Sequence, residues 1–206
     1  MLTRYYTASG RIFQPPRYTG LMEALSRKTD EELATLVQGK NEQAFGVLMN
    51  RYLPKLLRYG RKFLAADAPI EDVVQEVFIR VYQNIKSFDA TRPFSPWIYR
   101  IAHNLFANAL RHDSRHPLFT VDLDTLSAHT AYEIDPAGDE EREQAKTLVD
   151  RGLEALPPLY REIIVLYYLE QLRYQDIAEV LRVPIGTVGI RLHRAREMLK
   201  KHVEGN

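Results

Sequence analysis

The chain has 206 residues, 45% of them apolar and 27% charged, with no cysteine and a net charge of +1. That composition fits one large or two small globular domains and excludes a disulfide-stapled scaffold, a thiolate zinc site and a thiol nucleophile. No apolar run reaches the ~20 residues that span a bilayer, and the N-terminus lacks the apolar core of a secretory signal. A cytoplasmic protein without membrane insertion is therefore expected.

Charge is distributed unevenly along the chain. Residues 1–28 carry +4 and hold Gly10, Pro15, Pro16 and Gly20 without a helical period, which predicts a flexible N-terminal tail. Met22 is an alternative start, and the Arg-rich opening has a faint likeness to an organelle transit peptide. Residues 29–112 carry +2 and read as helices almost throughout. Thr29 or Asp30 can cap a helix that opens with Glu31 and Glu32 and buries Leu33, Leu36 and Val37. Ala44, Leu48, Tyr52, Leu56 and Leu57 continue a helical pattern up to the break at Asp67-Ala-Pro69. Ile70, Val73, Val74, Val77, Phe78, Val81 and Ile85 then form an apolar stripe at helical spacing. On another face of that helix Asp72, Gln75, Glu76 and Ile79 stand at i, i+3, i+4 and i+7. A loop is expected from Phe88 to Pro96, followed by a helix carrying Trp97, Ile98, Ile101, Ala102, Leu105, Phe106 and Leu110.

Residues 113–143 carry −7, few apolar groups, Pro117 and Pro136, and read as an acidic linker. A helix is expected from near Glu140 toward Ala155, stopped by Leu156-Pro157-Pro158. Residues 174–199 have the layout of a helix-turn-helix. Gln175 to Leu181 forms a short first helix with Ile177, Ala178 and Leu181 inward; Arg182-Val183-Pro184 turns; the second helix starts near Ile185. At 100° per residue Val188, Leu192, Ala195 and Leu199 share the core side. Thr187, Ile190, Arg191 and Arg194 lie opposite, flanked by His193 and Arg196, with Lys200 and Lys201 extending the basic end. A second helix of this kind enters the major groove, where Arg can read guanine and basic residues contact phosphate. With no strand pattern anywhere, the fold class is all-α: two small helical domains, 29–112 and 144–206, on an acidic tether.

The C-terminal string resembles region four of bacterial sigma factors of the extracytoplasmic-function type, in the sigma-70 family. The family pattern stands here as Asp176-Ile177-Ala178, Gly186-Thr187-Val188 and Arg194-Ala195-Arg196, preceded by Leu156-Pro157-Pro158 at the region's entry. Residues 29–112 resemble region two. Asp72-Val73-Val74-Gln75-Glu76-Val77-Phe78 matches the helix that binds core polymerase, and Phe94-Ser95-Pro96-Trp97 through Asn104 matches the segment that melts the promoter. The resemblance implies a sigma factor that binds core RNA polymerase at its clamp and flap and directs promoter recognition, melting and initiation. It assigns polymerase binding to Asp72, Gln75, Glu76 and Ile79. It assigns single-stranded minus-ten DNA to Phe88, Arg92, Phe94, Trp97, Arg100, Asn104, Asn108 and Arg111. It assigns double-stranded minus-thirty-five DNA to Thr187, Ile190, Arg191, His193, Arg194, Arg196 and Lys200. An anti-sigma factor is the further partner implied. Phe88 and Phe94 offer walls for an extruded base, and the amides of Asn104 and Asn108 suit reading its edge.

Three positions depart from the family pattern. Gly189 and Ile190 stand where Lys or Arg and then Ser are common, and Arg182 stands where the turn often has Gly. Two other readings compete. A stand-alone helix-turn-helix regulator has no need of Asp72, Gln75, Glu76 or the aromatic loop. A helical enzyme would rest on His103, His112 and His116, whose spacing defines no metal set. No catalytic residue, metal site or cofactor is expected.

Overall fold

In the computed structural model, residues 5–6, 12–13, 19–63, 70–112 and 151–204 are described, with side chains over 22–63, 70–110 and 151–202. The acidic linker 113–143, the start of the helix expected near Glu140, and Arg115 and His116 lie outside the described residues. The structure is all-α in two domains, apart from a two-residue antiparallel ladder in which Tyr5 faces Phe13 and Tyr6 faces Ile12.

The N-terminal domain comprises α1 (Thr19–Ser26), α2 (Asp30–Gln38), α3 (Glu42–Phe63), α4 (Ile70–Asn84) and α5 (Phe94–His112). The expected tail 1–28 needs correction, because α1 packs against α3 and buries Leu25. Arg51 on α3 fixes that corner: its guanidinium donates to the Ser26 and Lys28 carbonyls at 2.6 and 2.8 Å and pairs with Asp30 at 2.6 Å. α2 starts at a Thr29 cap, with Glu32 closing the reciprocal bond to the Thr29 amide. α3 runs for 22 residues through Pro54. Pro54 and Asn50, four residues before it, are both exposed, so the missing helical donor falls on the outer side of α3. Gly60 sits where α3, α4 and α5 converge; a Cβ there would stand 2.8 Å from Ile70 and 3.2 Å from Phe106.

The apolar stripes are buried as the periodicity predicts: Leu33 and Val37 on α2, Val74, Val77, Phe78 and Val81 on α4, Ile98, Ala102 and Phe106 on α5. The loop expected from Phe88 to Pro96 is shorter. A 3₁₀ turn, Ile85–Ser87, precedes it and α5 already begins at Phe94.

The C-terminal domain is described from α6, helical over 151–155, through α7 (Pro158–Ile164), α8 (Tyr174–Leu181) and α9 (Ile185–Glu204). α7 widens into a π turn over Val165–Leu169, where the Glu170 amide reaches back to the Val165 carbonyl at 3.0 Å. Gln171, at φ 54°, and the Leu172 amide on the Leu166 carbonyl then end the helix. Ile177, Val188, Leu192 and Ala195 form the helix-turn-helix core, with Leu199 half-buried beside them.

The two domains are in contact. α7 and the π turn lie against α3, and α8 lies against α5. Glu162, buried, accepts from the Tyr59 hydroxyl and bonds His103 Nδ1 at 2.6 Å. Glu170, its side chain 1% exposed, pairs with Arg58 at 2.8 Å and accepts from the Tyr99 hydroxyl. Burial first, then the neighbouring carboxylates, push the Tyr59 and Tyr99 phenols far above their usual range, so both stay protonated as donors.

Candidate polymerase and nucleic-acid interfaces

On α4 the apolar stripe faces inward, which forces the other side of the helix into solvent. Asp72 and Gln75 are exposed there, Glu76 is half-buried and pairs with Arg80 at 2.6 Å, and Ile79 is 46% exposed. Tyr82, equally exposed, extends the patch one turn on and packs against Phe45 with ring centroids 5.0 Å apart. An apolar residue held out of the core beside carboxylates suits a partner that is basic and partly apolar.

The loop before α5 is fastened from three places. Gln38 at the end of α2 donates to the Ile85 and Phe88 carbonyls at 2.9 and 2.8 Å. Asp89 accepts from the Thr91 amide and hydroxyl at 3.0 and 2.7 Å, bonds that hold its carboxyl below the usual range. Glu31 on α2 accepts from the Phe94 amide at 2.9 Å and so caps α5 from 63 residues away.

Burial corrects the expected base walls. Phe94 is fully buried against Tyr52 and Phe88, and Phe88 is nearly so; both are core residues at the foot of the loop. Neither can stack on a base without unpacking. Trp97 is half-buried, packed on both rings at 5.2 and 5.5 Å, and lines a cleft of about 630 Å³. Asn84, Arg92, Arg100 and Asn104 line the same cleft. Asn104 and Asn108 are exposed one turn apart on α5, as their spacing predicts. The Arg111 side chain lies outside those described.

In the C-terminal domain the turn between α8 and α9 puts Arg182 in the left-handed region, φ 54° and ψ 47°. This is the position where the family's Gly avoids the cost of a Cβ. Asp176 accepts from the Arg173 amide at 3.2 Å and closes the start of α8. On α9 Thr187, Ile190, Arg191, His193, Arg194 and Arg196 are half-buried and Lys200 is exposed. Arg196 and Arg191 are drawn into the domain in different ways. Arg196 donates from Nε to the Tyr168 hydroxyl at 2.8 Å and lies over the Tyr167 and Tyr168 rings. Arg191 has a buried Nε without a hydrogen-bond partner, and burial lowers the pKa of its guanidinium against the pull of Glu162.

Comparison with known proteins decides the family. The family described as Sigma-70 region 2 matches residues 48–116, and Sigma-70, region 4 matches residues 146–199. The ECF RNA polymerase sigma factor SigW of Bacillus subtilis (strain 168) is 35% identical over 176 residues, 81% of this chain and 92% of that protein. The chain belongs to the ECF sigma factors of the sigma-70 family. The ECF sigma-E factor of Escherichia coli (strain K12) is also 35% identical, covering 85% of this chain and 95% of its own. Among solved structures, CnrH in complex with the cytosolic domain of CnrY superposes with a TM-score of 0.64 at 26% identity, covering 87% of this chain and 99% of CnrH. The sigma factor RpoE of Bartonella quintana, solved with the anti-sigma factor NepR, shares the fold at a TM-score of 0.58 and 22% identity, covering 78% of this chain and 96% of that one.

Within the sigma factor, α4 and the loop–α5 surface fall in region 2 and the helix-turn-helix in region 4. Sequence reasoning missed Glu162, Glu170 and Tyr82. The carboxylates stand in an amphipathic helix and its exit, and their partners lie 59 to 112 residues away, so no local spacing marks them. Tyr82 could have been found, since it follows Ile79 by three residues on the same solvent-facing side of α4.

Proposed function

We propose that this sigma factor docks on core RNA polymerase through α4, captures the opened minus-ten strand on α5, and reads the minus-thirty-five duplex with α9. The observation that carries this reading is the pairing of regions 2 and 4 on one chain, each with a polar face left outside its core. ECF sigma factors bind core polymerase and direct promoter-specific initiation, and this chain does so as a member.

At residue level Asp72, Gln75, Glu76 and Ile79 contact the polymerase clamp, with region 4 on the flap. Arg92 and Arg100 neutralise phosphates of the opened strand, Trp97 supplies an aromatic face, and Asn104 and Asn108 read the edge of an extruded base. Thr187, Ile190, Arg191, His193, Arg194, Arg196 and Lys200 face the duplex, Lys200 as a phosphate contact. Ile190 can meet a thymine methyl where a polar residue would bond a base edge. Arg196 leaves the Tyr168 hydroxyl to do this, and Arg191 leaves a half-buried position in which its Nε has no hydrogen-bond partner. The chain acts in the cytoplasm as a non-enzymatic factor; no helix among the described residues is long and apolar enough to cross a membrane. An anti-sigma factor is the further partner, supported by the likeness to CnrH, solved with the cytosolic domain of CnrY.

The test is runoff transcription by core polymerase from a promoter library, with and without the chain. Specific transcripts that require the chain are expected. Their absence, with core binding also absent, would overturn the reading.

A further inference from the structure

The surface assigned to the opened strand starts where α5 starts, and α5 has no cap of its own. Pro93 precedes it, Pro96 in its first turn has no N–H, and no acid stands in that turn. Glu31 of α2 meets the Phe94 amide instead, at 2.9 Å. At the other end of the loop Gln38, also of α2, uses its amide nitrogen twice, on the Ile85 and Phe88 carbonyls at 2.9 and 2.8 Å. Glu31 and Gln38 lie two turns apart on one face of α2, about 10 Å along its axis. Ala34, between them on that face, is fully buried. α2 thus lies along the loop and meets both its entry, Ile85–Ser87, and its exit on α5. Both ends of α2 are themselves fixed. Asp30 bonds Arg51 and the Tyr52 hydroxyl of α3 at 2.6 Å each. At the far end Lys40, at φ 67°, and the Asn41 amide on the Leu36 carbonyl at 3.0 Å close the helix.

We propose that α2 is a splint for the promoter-opening surface, with Glu31 and Gln38 as its positioning residues. They hold the two ends of the loop at one separation, so that Arg92, Trp97 and Asn104 stand ready for the opened strand. Neither touches DNA, and neither lines the cleft that those three residues share. This role rests on the reading of α5 given above and adds to it residues that opening needs behind the surface. The physical ground is pre-organisation. A strand that has just unpaired is itself disordered, and a loop that also had to be ordered on contact would weaken its capture. Burial of Phe88 and Phe94 anchors the loop, but apolar packing is non-directional. The Asp89–Thr91 bonds shape the loop from within. The bonds to α2 fix where its backbone points.

The experiment uses full-length chain assembled with core polymerase on a duplex promoter, with opening read as permanganate-reactive thymines. Glu31→Ala should lower opening about fivefold, what one net intramolecular hydrogen bond is worth as an equilibrium factor. Gln38→Ala, which removes two such bonds, should lower it further. Affinity for core polymerase, measured by competition, should be unchanged in both. Glu31→Gln keeps an oxygen that accepts from the Phe94 amide and should recover most of the opening. Coupling separates positioning from a general loss of stability. With Asn104→Ala and Asn108→Ala already present, either α2 substitution should cost less than it does alone, because part of what it positions is gone. Wild-type opening by both α2 variants would overturn the proposal. So would core affinity falling in step with opening, or a loss of full size in the Asn104→Ala, Asn108→Ala background. That double variant also separates the two layers. If it opens poorly while both α2 variants open normally, the splint fails and base capture stands. If it opens normally, base capture fails and the splint falls with it.

Discussion

The two surfaces assigned to DNA are built in opposite ways. In region 2 the backbone is fastened: Gln38, Asp89 and Glu31 hold the loop and the first turn of α5, while Asn104 and Asn108 are exposed on α5 and Arg92 pairs with Glu179 of α8 at 2.6 Å. In region 4 the backbone carries the strain and the side chains are tied back. Arg182 sits in the left-handed region, Gly189 stands inside α9, Arg196 is held by Tyr168, and Arg191 is half-buried. The first arrangement suits capture of a flexible single strand, where the protein has to supply the order. The second suits a rigid duplex, which can itself draw out the arginines it needs.

That contrast can be broken by loosening region 2 or sharpened by relaxing region 4. The largest effect is expected at Gly60. A valine there meets Ile70 and Phe106 inside van der Waals distance, and overpacking of this kind costs about 3 kcal/mol. Urea unfolding of the variant should show it. Gln38→Ala comes next. It leaves the Ile85 and Phe88 carbonyls without their donor, at about 2 kcal/mol, and should loosen the loop while region 4 stays folded. Hydrogen exchange over residues 85–93 would locate the change. Two changes in region 4 should stabilise instead. Arg182→Gly removes a Cβ from a left-handed turn and should add about 1 kcal/mol. Gly189→Ala should add roughly 0.5–1 kcal/mol, since its Cβ would meet only Tyr174 at an ordinary 3.7 Å. Both are read as a rise in the unfolding midpoint.

The legible parts of the molecule were those written in local period. Val188, Leu192 and Ala195, or Val74, Val77 and Val81, recur at helical spacing and are buried where that spacing puts them. Phe88 and Phe94 misled because an aromatic residue beside a loop looks alike whether it stacks on a ligand or anchors the loop. Tyr52, some forty residues away, decides for the anchor. The α1 helix was hidden by the Pro and Gly before it, since its formation rests on Leu25 finding α3. The interdomain carboxylates were illegible for a related reason. Glu162 and Glu170 look like any surface acids until the chain brings Tyr59, His103, Arg58 and Tyr99 to them. What sequence conceals here is long-range pairing of polar groups, which has no period.

The central claim is that α5 captures a base once the strand has opened, and permanganate footprinting of the holoenzyme tests it most directly. Asn104→Ala with Asn108→Ala alters two exposed amides outside the apolar core, so polymerase binding and closed-complex formation should be intact. Opening should be reduced on a duplex promoter, with fewer reactive thymines around the minus-ten element. A promoter carrying a mismatched bubble should recover much of the loss, because the few kcal/mol of unpairing is already removed. Normal thymine reactivity on the duplex promoter would contradict the account, leaving the two amides as solvated side chains of a helix.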